Sequence, residues 1–447
     1  MTKNLTEGNP MKLIFFFTLP LIAGNIFQQL YAFVDTLLVG RFLGVEALAA
    51  VGCTGSLMFL MLGFVMGLTT GFSIYTGQRF GARDMAGVRQ SAAACLVLSL
   101  ASSVLLTAAG VWLCPQLLVW MQTPPEIMEN ALAFIRIIYG GITLTVFFMM
   151  LTNLIRALGD SRRPTYMLAF ALSVNIALEP LFLLVFAWGV PGAALATVLS
   201  QGIGVVVGVL YIARKMPLLH LSRADWHISR ELLLDHLRIG LPMGVQTSVI
   251  AIGAVILQVA LNELGPVAVA AYAASQKVDT IAIMPMMSFG MAMAAYTAQN
   301  YGARRLERID EGVKKCILMS GSFSIAVGLF NIICGPYIMY LFVGDGQQQV
   351  VDYGQLYLLI NGACYMILSL LFIYRYTLQG LGQTVVPTVA GVMELIMRTA
   401  AALILVRHFG YVGACFASPL AWLGSCIPLA VAYYVTRRWL RRQSCRV

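Results

Sequence analysis

Tyr75-Thr76-Gly77-Gln78-Arg79-Phe80-Gly81-Ala82-Arg83 returns 221 residues later as Tyr296-Thr297-Ala298-Gln299-Asn300-Tyr301-Gly302-Ala303-Arg304. Cys95 and Cys316 follow at the same offset, as do Gly189-x-x-Gly192-Ala193 and Gly410-x-x-Gly413-Ala414. Leu158-Gly159-x4-Pro164-Thr165 recurs as Leu381-Gly382-x4-Pro387-Thr388 at an offset of 223, and Pro20 and Pro242 open corresponding segments. Shared polar residues in one order at nearly one offset mark an internal duplication.

Each copy contains six apolar segments. They fall near residues 13–38, 47–74, 90–113, 130–155, 164–187 and 190–213, then 239–262, 267–296, 316–342, 353–378, 386–406 and 411–436. A bilayer crossing needs about 20 apolar residues, so each segment is long enough to span. The composition agrees: 60% of the 447 residues are hydrophobic and 11% charged, with a mean hydropathy of +0.83. The expected fold is an all-α polytopic membrane protein with twelve transmembrane helices in two six-helix bundles. Because each half crosses an even number of times, the bundles are expected to be related by a pseudo-twofold axis along the membrane normal. Residues 1–213 would form the N-terminal bundle, 214–238 a cytoplasmic linker, and 239–447 the C-terminal bundle with a basic cytoplasmic tail. No large soluble catalytic domain fits in the remainder.

The net charge of +10 is accounted for by topology. Lys3 and Lys12; Arg79, Arg83 and Arg89; Arg156, Arg162 and Arg163; and Arg214, Lys215, Arg223, Arg230 and Arg238 of the linker all fall on one side of a twelve-span arrangement. Arg304, Arg305, Arg308, Lys314 and Lys315, then Arg437, Arg438, Arg441, Arg442 and Arg446, fall on the same side. The opposite loops carry only Arg41 and Arg407, while Arg136, Lys277, Arg375 and Arg398 lie within predicted helices. The positive-inside rule then puts both termini and the linker in the cytoplasm of a cell-membrane protein. Short clusters without a nucleic-acid-binding motif argue against a nucleic-acid partner.

Soluble-enzyme signatures such as HExxH, GxxxxGK[ST] and GxSxG are absent, and the nine cysteines contain no CxxC pair. They read as small buried residues. An enzyme is therefore not expected, nor a cofactor. With no nucleotide-binding loop in the chain, an ion gradient is the economical power source for transport.

Ionisable groups inside spans are costly and point to function by default. Asp35, Tyr31 and Gln28 lie within an arc of roughly 60° on helix 1, at 100° per residue. Glu179 follows Asn175 by one turn on helix 5 and directly precedes Pro180; Thr197 and Gln201 are one turn apart on helix 6. The three helices offer these groups at similar depth. Two carboxyls facing each other away from water cannot easily both ionise, so one proton would be shared. The same oxygens, Asp35, Asn175, Glu179 and Thr197, equally suit a hard cation such as Na⁺. Snorkelling of either carboxylate to the interface is the alternative.

In the second half, Glu394 and Arg398 stand i,i+4 on helix 11 and are expected to form a structural ion pair. Lys277 on helix 8 needs a partner from another helix. Pro285 is a candidate hinge, and Met284, Met286, Met287, Met291 and Met293 offer either adaptable lining for apolar ligands or plain packing. Gln28, Gln201, Lys277 and Met287 are the candidates for a substrate cleft.

At this point the chain resembles the multidrug and toxic compound extrusion (MATE) family. The resemblance rests on Pro20 fifteen residues before Asp35, on Val39-Gly40-Arg41-x-x-Gly44, and on both Gln-x-x-Gly-Ala-Arg loops. It includes Arg156-Ala157-Leu158-Gly159-Asp160 before Pro164, Asn175-x3-Glu179-Pro180, and Lys277 followed by Met284-Pro285. It implies a V-shaped pair of six-helix bundles that expels cationic or amphipathic, drug-like compounds in exchange for H⁺ or Na⁺. The family's functional positions fall on Tyr31, Asp35, Asn175, Glu179 and Thr197, with a bend of helix 1 near Pro20. Many relatives have Asp where this chain has Glu179. The body of helix 7 carries no acidic residue, Glu263 lying at its outer end, so an Na⁺ site there is not expected. A monomer is expected. The rival expectation is a lipid-linked precursor flippase or another small-metabolite transporter of related two-bundle architecture; the flippase should need more basic residues in the cleft.

Overall fold

A computed structural model describes residues 4–343 and 347–444; Lys3, Cys445 and Arg446, used in the reading above, lie outside them. The described residues are helical almost throughout, and the cysteines among them are free thiols. The first helical run, Pro10–Gly81, has 72 residues and breaks only at Gly44 (φ 85°, ψ −175°). At about 1.5 Å per residue a run of that length would reach about 110 Å, far more than the roughly 30 Å hydrocarbon core. It therefore holds two spans, α1 (residues 10–43) and α2 (residues 45–81). No loop of ordinary length separates them, because one glycine at a φ closed to other residues turns the chain by itself.

The remaining helices are α3 (Met85–Trp120), α4 (Pro125–Gly140 and Ile142–Ala157, bent by 47°), α5 (Arg162–Val185), α6 (Gly189–Lys215), α7 (Arg230–Asn262) and α8 (Pro266–Gly302). They are followed by α9 (Leu306–Val343), α10 (Gln348–Gly380), α11 (Val385–Phe409) and α12 (Tyr411–Ser444). The twelve expected helices are thus found among the described residues. Most exceed the predicted apolar cores by a turn or more, since their polar ends continue the helix beyond the hydrocarbon. Large apolar side chains such as Leu105, Trp112, Ile333 and Leu341 stay exposed, as lipid-facing residues do.

The duplication is visible in the backbone. Gly44 and Gly265 share φ near 90° with extended ψ, and Arg83 and Arg304, ending the two copies of the opening motif, are both left-handed at φ 60° and 57°. Five-residue π turns occupy Leu181–Val185 in α5 and Ala401–Leu405 in α11. Only the first follows a proline, so Pro180 is not what the π turn requires.

The helices form two compact units, one built chiefly from Leu19–Gly244, the other from Leu5–Thr18 and the chain beyond Val245. In the first, a Cβ on Gly71 of α2 would collide with the backbone of Gly240 on α7; small residues let these helices approach closely. The 214–238 stretch also packs here, with Met216 and Leu219 buried among residues of α2 to α5 and Arg89 of α3 in an ion pair with Asp225 at 3.4 Å. In the second unit, the start of the chain is held by the repeat motif's second copy: Leu5 N–H donates to Gln299 Oε1 at 2.9 Å, and the Asn300 amide donates to the Leu5 carbonyl at 3.2 Å.

Candidate functional site

In the first unit, α1, α5 and α6 bring five of the predicted residues together. Tyr31 and Asp35, one turn apart on α1, are joined by the Tyr31 hydroxyl donating to Asp35 Oδ1 at 3.5 Å. The same hydroxyl is 3.3 Å from Thr197 Oγ1 on α6. Asn175 of α5 donates its amide to Thr197 Oγ1 at 3.3 Å and to Ser200 Oγ at 3.5 Å. Ser200 was not predicted; as a lone hydroxyl next to the Thr197 and Gln201 pair it carried no signal of its own.

Glu179 lies one turn beyond Asn175 and faces the Asp35 carboxyl. It is 1% exposed. Both its oxygens and the amide oxygen of Asn175 are enclosed without a hydrogen-bond donor among the described residues. Carboxylate oxygens left in this condition are expensive unless a proton or a cation joins them. No basic side chain does so, since the ion pairs of the described residues lie elsewhere. Tyr31 has one hydroxyl proton and two acceptors within reach. It can serve a charged Asp35 or the Thr197 oxygen, not both.

The neighbouring candidates are placed differently. Gln201 accepts a hydrogen bond from the Thr145 hydroxyl of α4, while Gln28 is exposed on α1. At Pro20 the helix continues without a non-helical residue. The Pro20 carbonyl accepts from Thr165 Oγ1 of α5 at 2.8 Å, which ties α1 to α5 at this point.

A family model, MatE, matches residues 20–181 and again 242–404, one match to each copy of the duplication. The chain belongs to the MatE family. Among curated proteins, this MatE chain is 29% identical over 357 residues to "Probable multidrug resistance protein YpnP" of Bacillus subtilis, covering 79% of each chain. It is 26% identical over 402 residues to "Probable multidrug resistance protein YoeA" of the same organism, covering 88% of this chain and 86% of the relative. Among solved structures, one described as MATE in complex with MaL6 superposes with a TM-score of 0.90 at 25% identity over 99% of both chains. An outward-facing multidrug resistance MATE family transporter of the MOP superfamily superposes with a TM-score of 0.91 at 24% identity, again over 99% of both. The fold is therefore the two-bundle fold of MATE transporters, and the MatE chain is an integral membrane protein rather than an enzyme.

The second unit of the MatE chain corrects one expectation. Glu394 pairs not with Arg398 but with Arg375 of α10, which also donates to Ser425 Oγ of α12 at 3.1 Å. Arg398 instead lies along α7, its Cδ 3.4 Å from where a Cβ of Gly253 would be, and its Nη1 donates to the Ile250 carbonyl at 3.5 Å. Lys277 is exposed on α8 and has no ion pair among the described residues; Met287 is half-buried, beside the fully enclosed Met286. Asp279, the neighbour of Lys277, accepts hydrogen bonds from Tyr365 OH at 2.6 Å and Tyr357 OH at 3.1 Å on α10. That cluster was missed because the residues lie 78 and 86 positions apart and no spacing rule joins them.

Proposed function

We propose that this chain is a secondary antiporter that exports cationic or amphipathic, drug-like compounds in exchange for H⁺ or Na⁺, with Asp35 and Glu179 as the coupling-ion site. The observation that carries the reading is the enclosed Glu179 carboxyl without a donor, facing Asp35. Such a pair must gain a cation to be stable when enclosed and must lose it when it opens to water, which is the behaviour exchange requires. Tyr31, Asn175 and Thr197 set the geometry. Loss of the ion leaves Asp35 charged and draws the Tyr31 hydroxyl to it, releasing Thr197. The multidrug descriptions of YpnP and YoeA support a drug-like substrate. The basic clusters support a cell-membrane location with both termini cytoplasmic.

One observation favours Na⁺ as the second reading. A single shared proton joins the two carboxyls but leaves the other Glu179 oxygen and the enclosed Asn175 amide oxygen without a partner, whereas a hard cation would take all three groups. Gradient-driven efflux of ethidium from everted vesicles tests the site: Asp35→Asn should abolish it at unchanged protein level, and undiminished efflux would overturn the assignment. Proteoliposomes with an imposed pH or sodium gradient decide the ion, through substrate-induced release of H⁺ or of Na⁺.

A further inference from the structure

Within the second unit lies a cavity of about 170 Å³ lined from α7, α8, α11 and α12. By the duplication, α7, α11 and α12 correspond to α1, α5 and α6, the three helices of the carboxylate cluster. Leu257 takes the place of Asp35 at the offset of the two prolines, and Ser418 that of Thr197. At the offset of Pro164 and Pro387, Arg398 of α11 takes the place of the neutral Asn175 of α5, and Ala402 that of Glu179. The two carboxyls of the first cluster are thus replaced by apolar residues, and a guanidinium stands beside them.

Arg398 is also short of partners. Its Nε is enclosed without an acceptor among the described residues. Glu394, one turn away, is taken by Arg375. Asp279 on the cavity wall commits its oxygens to Tyr357 and Tyr365. The Nη1 of Arg398 reaches the Ile250 carbonyl at 3.5 Å, but an enclosed Nε–H lacking an acceptor is a costly arrangement unless a ligand completes it. The planar fork of donors fits a carboxylate through two parallel hydrogen bonds. Tyr272 and Trp422 give the wall its large faces, Leu257 and Ile283 its aliphatic part, and Gln276, Thr280 and Ser418 polar edges. A cavity of about 150 Å³ is large enough for one benzene molecule, so the volume admits a single ring.

We propose that this cavity is a binding site for a small aromatic carboxylate, its carboxyl on Arg398 and its ring against Tyr272 and Trp422. The site is separate from the Asp35 and Glu179 cluster and does not depend on its role.

The test is ¹⁹F NMR titration of 4-fluorobenzoate against the purified full chain in nanodiscs. Saturable binding is expected, weakened at least tenfold by Arg398→Gln and unchanged by Asp35→Asn. Ile283→Trp, which fills the cavity from its apolar wall while leaving Arg398 in place, should abolish binding as well and decides the matter if the arginine variant does not fold. Acetate should compete at least tenfold more weakly than benzoate, and benzylamine, with the same ring and the opposite charge, should not compete. The proposal fails if the wild type shows no saturable binding, if binding survives cavity filling or loss of the arginine, or if acetate or benzylamine competes as well as benzoate.

Discussion

Glu394 on α11 is paired with Arg375 on α10 and not with Arg398 one turn along its own helix. Both partners are buried, and Ser425 of α12 takes a further hydrogen bond from the same guanidinium. The pair thus joins three helices, whereas an i,i+4 pair would have joined none. A charge in a membrane span must find an opposite charge or a wet surface, and the tertiary partner offers two helices' worth of enclosure that a neighbour on the same helix cannot.

Removing one member of this pair leaves the other buried and uncompensated, at a cost of about 3–5 kcal/mol. Glu394→Gln should lower the midpoint of thermal unfolding in detergent markedly, and Arg375→Met together with Glu394→Gln should recover much of the loss. Arg398→Gln, which breaks no ion pair, should change stability far less. Equal losses in Glu394→Gln and Arg398→Gln would contradict the pairing.

Tyr31 is predicted to modulate coupling rather than to carry it. Its hydroxyl contributes one neutral hydrogen bond, at about 0.5–1.5 kcal/mol, so Tyr31→Phe should slow gradient-driven ethidium efflux by about 2- to 10-fold. Asp35→Asn, which removes the charge itself, should leave no gradient-driven efflux. A Tyr31→Phe variant as inactive as Asp35→Asn would assign the hydroxyl an essential part in ion transfer.

How far the sequence discloses this molecule depends on the range of each interaction. The duplication is legible because polar residues at one offset survive in loops, and the cluster on α1, α5 and α6 is legible because Tyr31 and Asp35, Asn175 and Glu179, are each one helical turn apart. What decides Glu394 or Asp279 is which helix packs alongside, and α10 supplies the partner in both cases through residues with no local relation to them. The turn at Gly44 was hidden for another reason: a single left-handed glycine looks, in sequence, like the start of a longer loop. The second π turn, at Ala401–Leu405, has no proline to announce it.

The last prediction concerns the stretch that joins the two copies. Asp225 accepts hydrogen bonds from the Ser222 hydroxyl and backbone N–H, both at 2.7 Å, and pairs with Arg89 of α3. These hold its carboxyl below the usual carboxylate range, the Ser222 hydrogen bonds contributing most and Arg89 less. A carboxyl held lower in the folded than in the unfolded chain binds its proton later as the pH falls. The stability it contributes is therefore complete above the ordinary value of about 3.9 and is lost as the pH drops through the lower folded value. Asp225→Asn should accordingly unfold at a lower temperature than the wild type at pH 7, and the gap should close as the pH is taken below about 4. Limited proteolysis between residues 214 and 238 should be faster in the variant at pH 7, because the tie between Arg89 and the linker is gone. A gap that persists unchanged into acid would mean that Asp225 acts through packing and not through its charge.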